Sequence, residues 1–241
     1  PAGGKNDQVL VAEFSTDDDD TERPKWLNTR TGLTRNVDFT EPTGSFSWLA
    51  DSSGELRVAF TRQQGRQAAL WRPPGSKTWT PLFESDLLSA PFSVEAVDDA
   101  GGLYVGESSG PADQKALKRY DFEHRKPQDK PLVATPGFDF SGNLVIDETS
   151  GRVLGVRLLV DAPTIAWFDP AMKEFQARVD RLFPGQANLI SCRRCGTPDM
   201  VALVRSFSDR DPGRFYLYQG KPKAGEKAWM SVGAVREGVK P

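Results

Sequence analysis

Four stretches of this 241-residue chain carry residue types that could do chemistry. Gly106-Glu-Ser-Ser-Gly110 fits Gly-x-Ser-x-Gly, the spacing that lifts a nucleophilic serine onto a tight strand-to-helix turn. A serine needs a neighbouring base to attack, and His124, 16 residues after Ser108, is the chain's one imidazole. Cys192-Arg-Arg-Cys195 holds both cysteines at a spacing shared by redox pairs, zinc half-sites and turn-bridging disulfides. Asp17-Asp-Asp-Asp20, with Glu22, gathers oxygens of the kind Ca²⁺ takes. Ser208-Asp-Arg-Asp-Pro-Gly213 sets Asp209 and Asp211 on either side of Arg210, whose planar guanidinium suits a carboxylate or carbonyl partner.

Context narrows each of these. A nucleophile elbow runs directly into a helix packed on a parallel sheet, whereas Pro111-Ala-Asp-Gln leads back within a few residues to another β-like run. The serine motif is therefore expected to be a strand end and its loop. One His and two Cys cannot complete a four-ligand structural zinc site within one chain, and no βαβ setting for a thioredoxin-like pair is visible. Cys192 and Cys195 are left as free thiols, a disulfide across a turn, or ligands to a metal shared between molecules. The disulfide alternative would favour an extracytoplasmic, oxidising compartment; the sequence itself assigns none. The acidic run lacks the alternating ligands and central glycine of an EF-hand loop, which leaves a solvated loop beside the Ca²⁺ reading. Asp209 or Asp211 can cap a turn and pair with Arg210. The functional alternative has Arg210 meeting a substrate or pinning a domain interface.

What must position these residues is an internal repeat. The runs Leu10-Val-Ala-Glu-Phe-Ser15, Arg57-Val-Ala-Phe-Thr-Arg62, Tyr104-Val-Gly-Glu-Ser-Ser109, Val153-Leu-Gly-Val-Arg-Leu158 and Ala202-Leu-Val-Arg-Ser-Phe207 align. Their anchors, Val11, Val58, Val105, Leu154 and Leu203, lie 47, 47, 49 and 49 residues apart. Each anchor is followed by a bulky–polar pair: Leu27-Asn28, Trp71-Arg72, Tyr120-Asp121, Phe168-Asp169 and Tyr218-Gln219. A third β-like run follows at 33–39, 78–83, 130–134, 175–179 and 228–232. Another precedes every anchor but the first, at 46–49, 92–96, 144–147 and 188–192. Asp51-Ser-Ser-Gly54, Asp98-Asp-Ala-Gly101 and Thr149-Ser-Gly151 join that run to the anchor strand. Asp or Ser starts such a turn through its side chain, and Gly supplies the positive φ.

Four short strands joined by hairpins, recurring every ~48 residues, are the pattern of a β-propeller blade. The expected fold is all-β: a propeller of about five four-stranded blades, at 8–45, 46–91, 92–139, 140–187 and 188–235. The first copy opens on its second strand, so the chain reads as part of a larger propeller. The alternative is a closing strand from the tail after Val232. No secretory leader is visible and the chain begins on Pro1, so its natural start is expected upstream. Trp26, Trp71, Tyr120, Trp167, Tyr216 and Tyr218 gather around the third strand of successive copies. They would fill the wedge between neighbouring sheets or form an aromatic binding row.

Composition excludes whole classes of partner. A net charge of −2 gives no broad nucleic-acid footprint, and Arg193, Arg194 and Lys221 to Lys227 read as solvated basic faces. No apolar run nears the ~20 residues of a membrane-spanning helix. With 38% hydrophobic and 27% charged residues the chain is an ordinary globular sequence. The 22 Gly and 18 Pro punctuate many short elements rather than long helices.

Two stretches bring a family into view. Trp167-Phe-Asp-Pro-Ala-Met, continuing through Phe175-Gln-Ala-Arg-Val-Asp-Arg-Leu-Phe-Pro-Gly185, is one; Ser206-Phe-Ser-Asp-Arg-Asp-Pro-Gly-Arg-Phe-Tyr-Leu-Tyr218 is the other. Both resemble the last blades of bacterial serine peptidases of the prolyl oligopeptidase family, in its dipeptidyl-peptidase or acylaminoacyl-peptidase-like branch. The tail Val232-Gly-Ala-Val-Arg-Glu is similar to the segment that precedes the hydrolase in that family. The resemblance implies an α/β-hydrolase domain after residue 241, carrying the Ser, Asp and His, and a chain here with no catalytic residue and no cofactor. Its partners would be that downstream domain and a peptide substrate, with Asp209, Arg210 and Asp211 at the substrate or the interface. The rival expectation is a stand-alone protein-binding propeller scaffold. A third, weaker reading places catalysis at the propeller's own channel, but the innermost strands offer few acids.

Overall fold

Short alternating runs cut by Gly, Pro and Asp cannot bury a long face alone, so they fold as antiparallel hairpins that stack. The structure is a computed structural model that describes residues 7–14, 21–37, 39–109, 113–147, 150–236 and 238. The described residues are all-β apart from one helix. Among the described residues there are five small antiparallel sheets, each a meander in chain order. The chain divides into two compact units at Pro136 and Gly137, between the third and fourth sheets.

The first unit holds three sheets. The first sheet is β1 (Gln8–Phe14), β2 (Glu22–Asn28) and β3 (Thr34–Asn36). The second is β4 (Ser45–Ala50), β5 (Leu56–Gln63), β6 (Arg66–Trp71) and β7 (Thr80–Asp86). The third is β8 (Ser93–Val97), β9 (Leu103–Ser109), β10 (Gln114–Asp121) and β11 (Lys126–Pro127). The strand expected at 130–134 is not there. Pro127 and Pro131 have no N–H to give a ladder, so the fourth strand is two residues long, and Val133 makes only an isolated bridge to Leu117. Val58, Ala69 and Trp71 of the second sheet form one core with Val97, Leu103, Val105 and Tyr120 of the third, joined by Phe92.

The second unit holds the fourth sheet, β12 (Gly142–Ile146), β13 (Val153–Leu159) and β14 (Pro163–Trp167), then helix α1 (Pro170–Leu182). The fifth sheet is β15 (Ala187–Arg193), β16 (Val201–Phe207), β17 (Arg214–Gln219) and β18 (Trp229–Ala234). Residues 175–179, expected to be a strand, lie inside α1. Asp169 caps the helix, its Oδ1 accepting the Met172 N–H at 3.1 Å, and Pro170 fills the first turn, where a missing N–H costs nothing. Met172, Phe175 and Val179 then fall on one buried face, against Leu154, Trp167, Ile190, Ala202 and Val204. Burial of side chains of this kind stabilises by about 1.5–3 kcal/mol each. The fourth repeat thus replaces its fourth strand with a helix.

A corner recurs where the first strand of a sheet turns into the second. Asp51, Asp98 and Asp147 are all buried there. Asp51 Oδ1 accepts the N–H groups of Ser53 and Glu55, and Asp98 Oδ1 those of Ala100 and Gly102. Asp147 Oδ2 accepts the N–H and hydroxyl of Ser150. The corners also touch their neighbours within a unit. Ser52 N–H donates to Asp99 at 2.9 Å, and Cys195 N–H to Asp147 at 3.4 Å, links of 47 and 48 residues. The turn glycine sits against the end of a strand of the sheet before, β2, β6 or β14, or the residues just after it: Gly54 on Trp26, Gly101 on Pro74, Gly196 on Asp169. A Cβ on Gly101 would lie 2.8 Å from Pro74 Cγ, and on Gly196 3.1 Å from Asp169 Oδ1. All three glycines have φ between 72° and 86°, so only glycine meets both demands without strain.

Candidate functional site

Stacking at these corners leaves a cleft of about 400 Å³ between the second and third sheets. One wall comes from the end of β6 and the turn after it, with Trp71, Pro73 and Pro74, and from Pro81 and Leu82 of β7. Gly101 of the β8–β9 corner forms the base, where its missing side chain admits Pro74. The other wall is the β10–β11 hairpin, with Tyr120, Phe122 and Arg125. The aromatic rings form a chain: Trp71 to Phe122 and Phe122 to Tyr120 at 5.1 Å each, and Tyr120 to Phe92 at 5.6 Å. Trp71 and Tyr120 are buried, while Phe122 is 42% exposed.

Asp121 shapes that hairpin. Its Oδ1 accepts the N–H groups of Glu123 and His124, and its Oδ2 lies 2.9 Å from His124 Nδ1. The His124 backbone and ring hydrogen bonds hold the Asp121 carboxyl below the usual carboxylate range. The chain's one imidazole is therefore spent on a solvent-exposed turn. Arg125 follows with φ 54°, a left-handed conformation that costs a non-glycine residue about 1 kcal/mol and that turns up at ligand clamps. Its guanidinium makes no ion pair among the described residues. The Tyr120 hydroxyl likewise has no hydrogen-bond partner there. Burial pushes the Tyr120 pKa up, and the Arg125 charge opposes this; both residues line the cleft.

A more polar cavity of about 580 Å³ lies beside Phe39, Glu55, Arg57 and Arg72. Its guanidinium groups are engaged. Arg57 Nε donates to Asp51 Oδ2 at 2.7 Å, and Arg72 reaches the Leu56 carbonyl at 2.9 Å and Glu55 at 3.3 Å. Burial lowers the Arg72 pKa. A third network holds Tyr104, whose hydroxyl donates to buried Asp98 at 3.0 Å beside Arg119. Burial, then the Asp98 charge, pushes that tyrosine up to about 12.

The sequence-derived candidates are dispersed. Ser108 lies within β9, paired with Lys115 of β10, and Glu107 holds buried Lys118 at 2.6 Å; Gly110 is outside the described residues. Asp17 to Asp20 are also outside them. Cys192 and Cys195 are joined by a disulfide across the β15–β16 turn, with Cα atoms 5.4 Å apart. Of the two arginines between them, Arg194 pairs with Asp199 at 3.0 Å. In the 208–213 turn, Ser208 Oγ accepts the N–H groups of Arg210 and Asp211, and Asp211 Oδ1 accepts that of Gly213 at 2.8 Å. The cap is therefore Ser208 with Asp211, and neither Asp209 nor Asp211 pairs with Arg210, which is exposed. Trp71, Tyr120 and Trp167 are buried between sheets or against the helix, and the first two also wall the cleft. The described residues hold no cluster of three or more metal-ligating side chains and no helix long and apolar enough to cross a membrane.

Sequence reasoning missed the cleft. Its signals were present: an aromatic at the same position in four successive repeats, Trp71, Tyr120, Phe168 and Tyr218, with Pro73-Pro74 after the first of them. Set beside known proteins, the chain matches no family model and no curated protein.

Proposed function

We propose that the chain is an arc of a β-propeller acting as a recognition and gating module, which admits peptide substrates to a serine peptidase domain on the same polypeptide. The observation that supports the propeller is the repeated corner. Gly54 on Trp26, Gly101 on Pro74 and Gly196 on Asp169 are the same seat at separations of 28, 27 and 27 residues. Sheets that lean on their predecessors through one conserved seat tend to wind about an axis, and full blades leave a channel and two loop-bearing faces.

The peptidase setting is the narrower part and rests on residues 206–218 and the tail after Val232. Residues 167–185, which also resemble that family, run from the last residue of β14 through α1, so they lend likeness of sequence rather than of blade. In this setting the module contributes selectivity by excluding bulky chains and by loop contacts, while acyl transfer to a serine happens downstream. The 208–213 turn, capped by Ser208 and Asp211 with Arg210 outward, is the loop that would meet substrate or hydrolase.

A fluorophosphonate probe on the natural full-length protein, followed by mass mapping of the labelled peptide, tests it. A labelled serine beyond residue 241, with none among residues 1–241, is expected. No labelled serine anywhere overturns the peptidase setting and favours the scaffold that only binds partners.

A further inference from the structure

We propose that the cleft between the second and third sheets binds an aromatic carboxylate, its ring laid against the touching Trp71–Phe122 pair and its anionic group on Arg125 and Tyr120. The proposal needs only the unit containing both sheets, not the peptidase setting. At about 400 Å³ the cleft lies within the ~300–1,000 Å³ range of small-ligand sites. Its walls are aromatic rings and prolines, which accept a flat apolar body by edge and offset contacts.

The polar groups decide the charge. None of the residues lining the cleft is acidic. Of the two acids on the same hairpin, Asp121 is committed to His124 and neither Asp121 nor Glu123 lines the cleft. Arg125 and Tyr120 are donors without partners among the described residues, and a guanidinium takes a carboxylate in two parallel hydrogen bonds. A sugar is disfavoured because its many hydroxyls would meet only Thr80, Tyr120 and Arg125. A phosphate would bring two charges to one cation among apolar walls.

Calorimetric titration of the full chain tests this, with 3-phenylpropionate against 3-phenylpropionamide, and N-acetyl-Gly-Phe against its C-terminal amide. The acid is expected to bind with submillimolar affinity and the amide about 10-fold more weakly, the size of one charge-assisted contact. Arg125→Gln should weaken the acid about 10-fold, leave the amide unchanged, and leave the melting temperature unchanged because Arg125 holds no ion pair. Tyr120→Phe should weaken the acid by a smaller factor. Binding of the peptide acid as tightly as the free acid makes a chain terminus the ligand; binding of the free acid alone makes it a small molecule. Either upholds the site. Equal binding of acid and amide, no effect of Arg125→Gln on the acid, or no binding of either acid at millimolar concentration overturns it.

Discussion

Asp147 shows how one side chain holds two elements. Burial alone would raise its pKa, but hydrogen bonds from the Ser150 hydroxyl, the Cys195 N–H and the Ser150 N–H outweigh that and leave it below the ordinary 3.8. A depressed folded pKa means the contribution is complete above the unfolded value and is lost as pH falls through the folded one. Asp147→Ala is therefore expected to lose about 1–3 kcal/mol of stability in urea melts near pH 7, from donors left without their acceptor. The gap should narrow below pH ~4 as the wild-type carboxyl protonates; a gap independent of pH would show that the charge contributes nothing. The turn role of Asp51 and Asp98 was legible in the sequence, because Asp-x-x-Gly carries its own mechanism. The reach of Asp147 to Cys195 was not, since a link 48 residues long depends on how two hairpins stack. The cleft was hidden for the same reason: Trp71 and Arg125 line one cleft only once two sheets are in place.

Among elements, α1 departs furthest from its repeat. The 48-residue period gave a strand at 175–179, while Asp169-Pro170 and the spacing of Met172, Phe175 and Val179 carried a helix signal of their own. Local capping and a 3.6-residue period won over the repeat. Hydrogen bonds then tie the helix to both neighbours: Trp167 Nε1 donates to Gln176, and Gln176 Nε2 donates to the Asn188 carbonyl. Phe175 also meets Tyr218 at 4.9 Å and stacks with Trp229 at 6.1 Å. Phe175→Ala should cost about 3–5 kcal/mol through the cavity it leaves, read as a lower denaturant midpoint. A cost under about 1 kcal/mol would mean α1 is peripheral to the unit's core.

At the scale of the molecule, the two cores lie within separate units: Val58 to Tyr120 in one, Leu154 to Val204 in the other. The connection carries little ladder, and Leu132 and Phe138 on it are 36% and 43% exposed. Brief chymotrypsin treatment is expected to cut first near Phe138 and to leave two products with protected amide protons. Early cuts scattered through the strands would argue against two compact units. The repeated hairpins were legible because hairpin chemistry is local; the full strand count was not, since 130–134 is no strand and 175–179 is helical, nor was the division at Pro136, because it lies inside the period. The hairpins at opposite ends of the sheets also differ in their freedom to vary. Those that join the first two strands span 51–55, 98–102, 147–152 and 194–200, and their glycines or capping acids are wedged against a neighbour. Among the described residues, those at the far end span 64–65, 160–162 and 208–213, from two residues to six, and show no such shared seat. Insertions in those hairpins leave the corner contacts within each unit untouched, so descendants of this chain can acquire new binding properties there while their architecture is inherited unchanged.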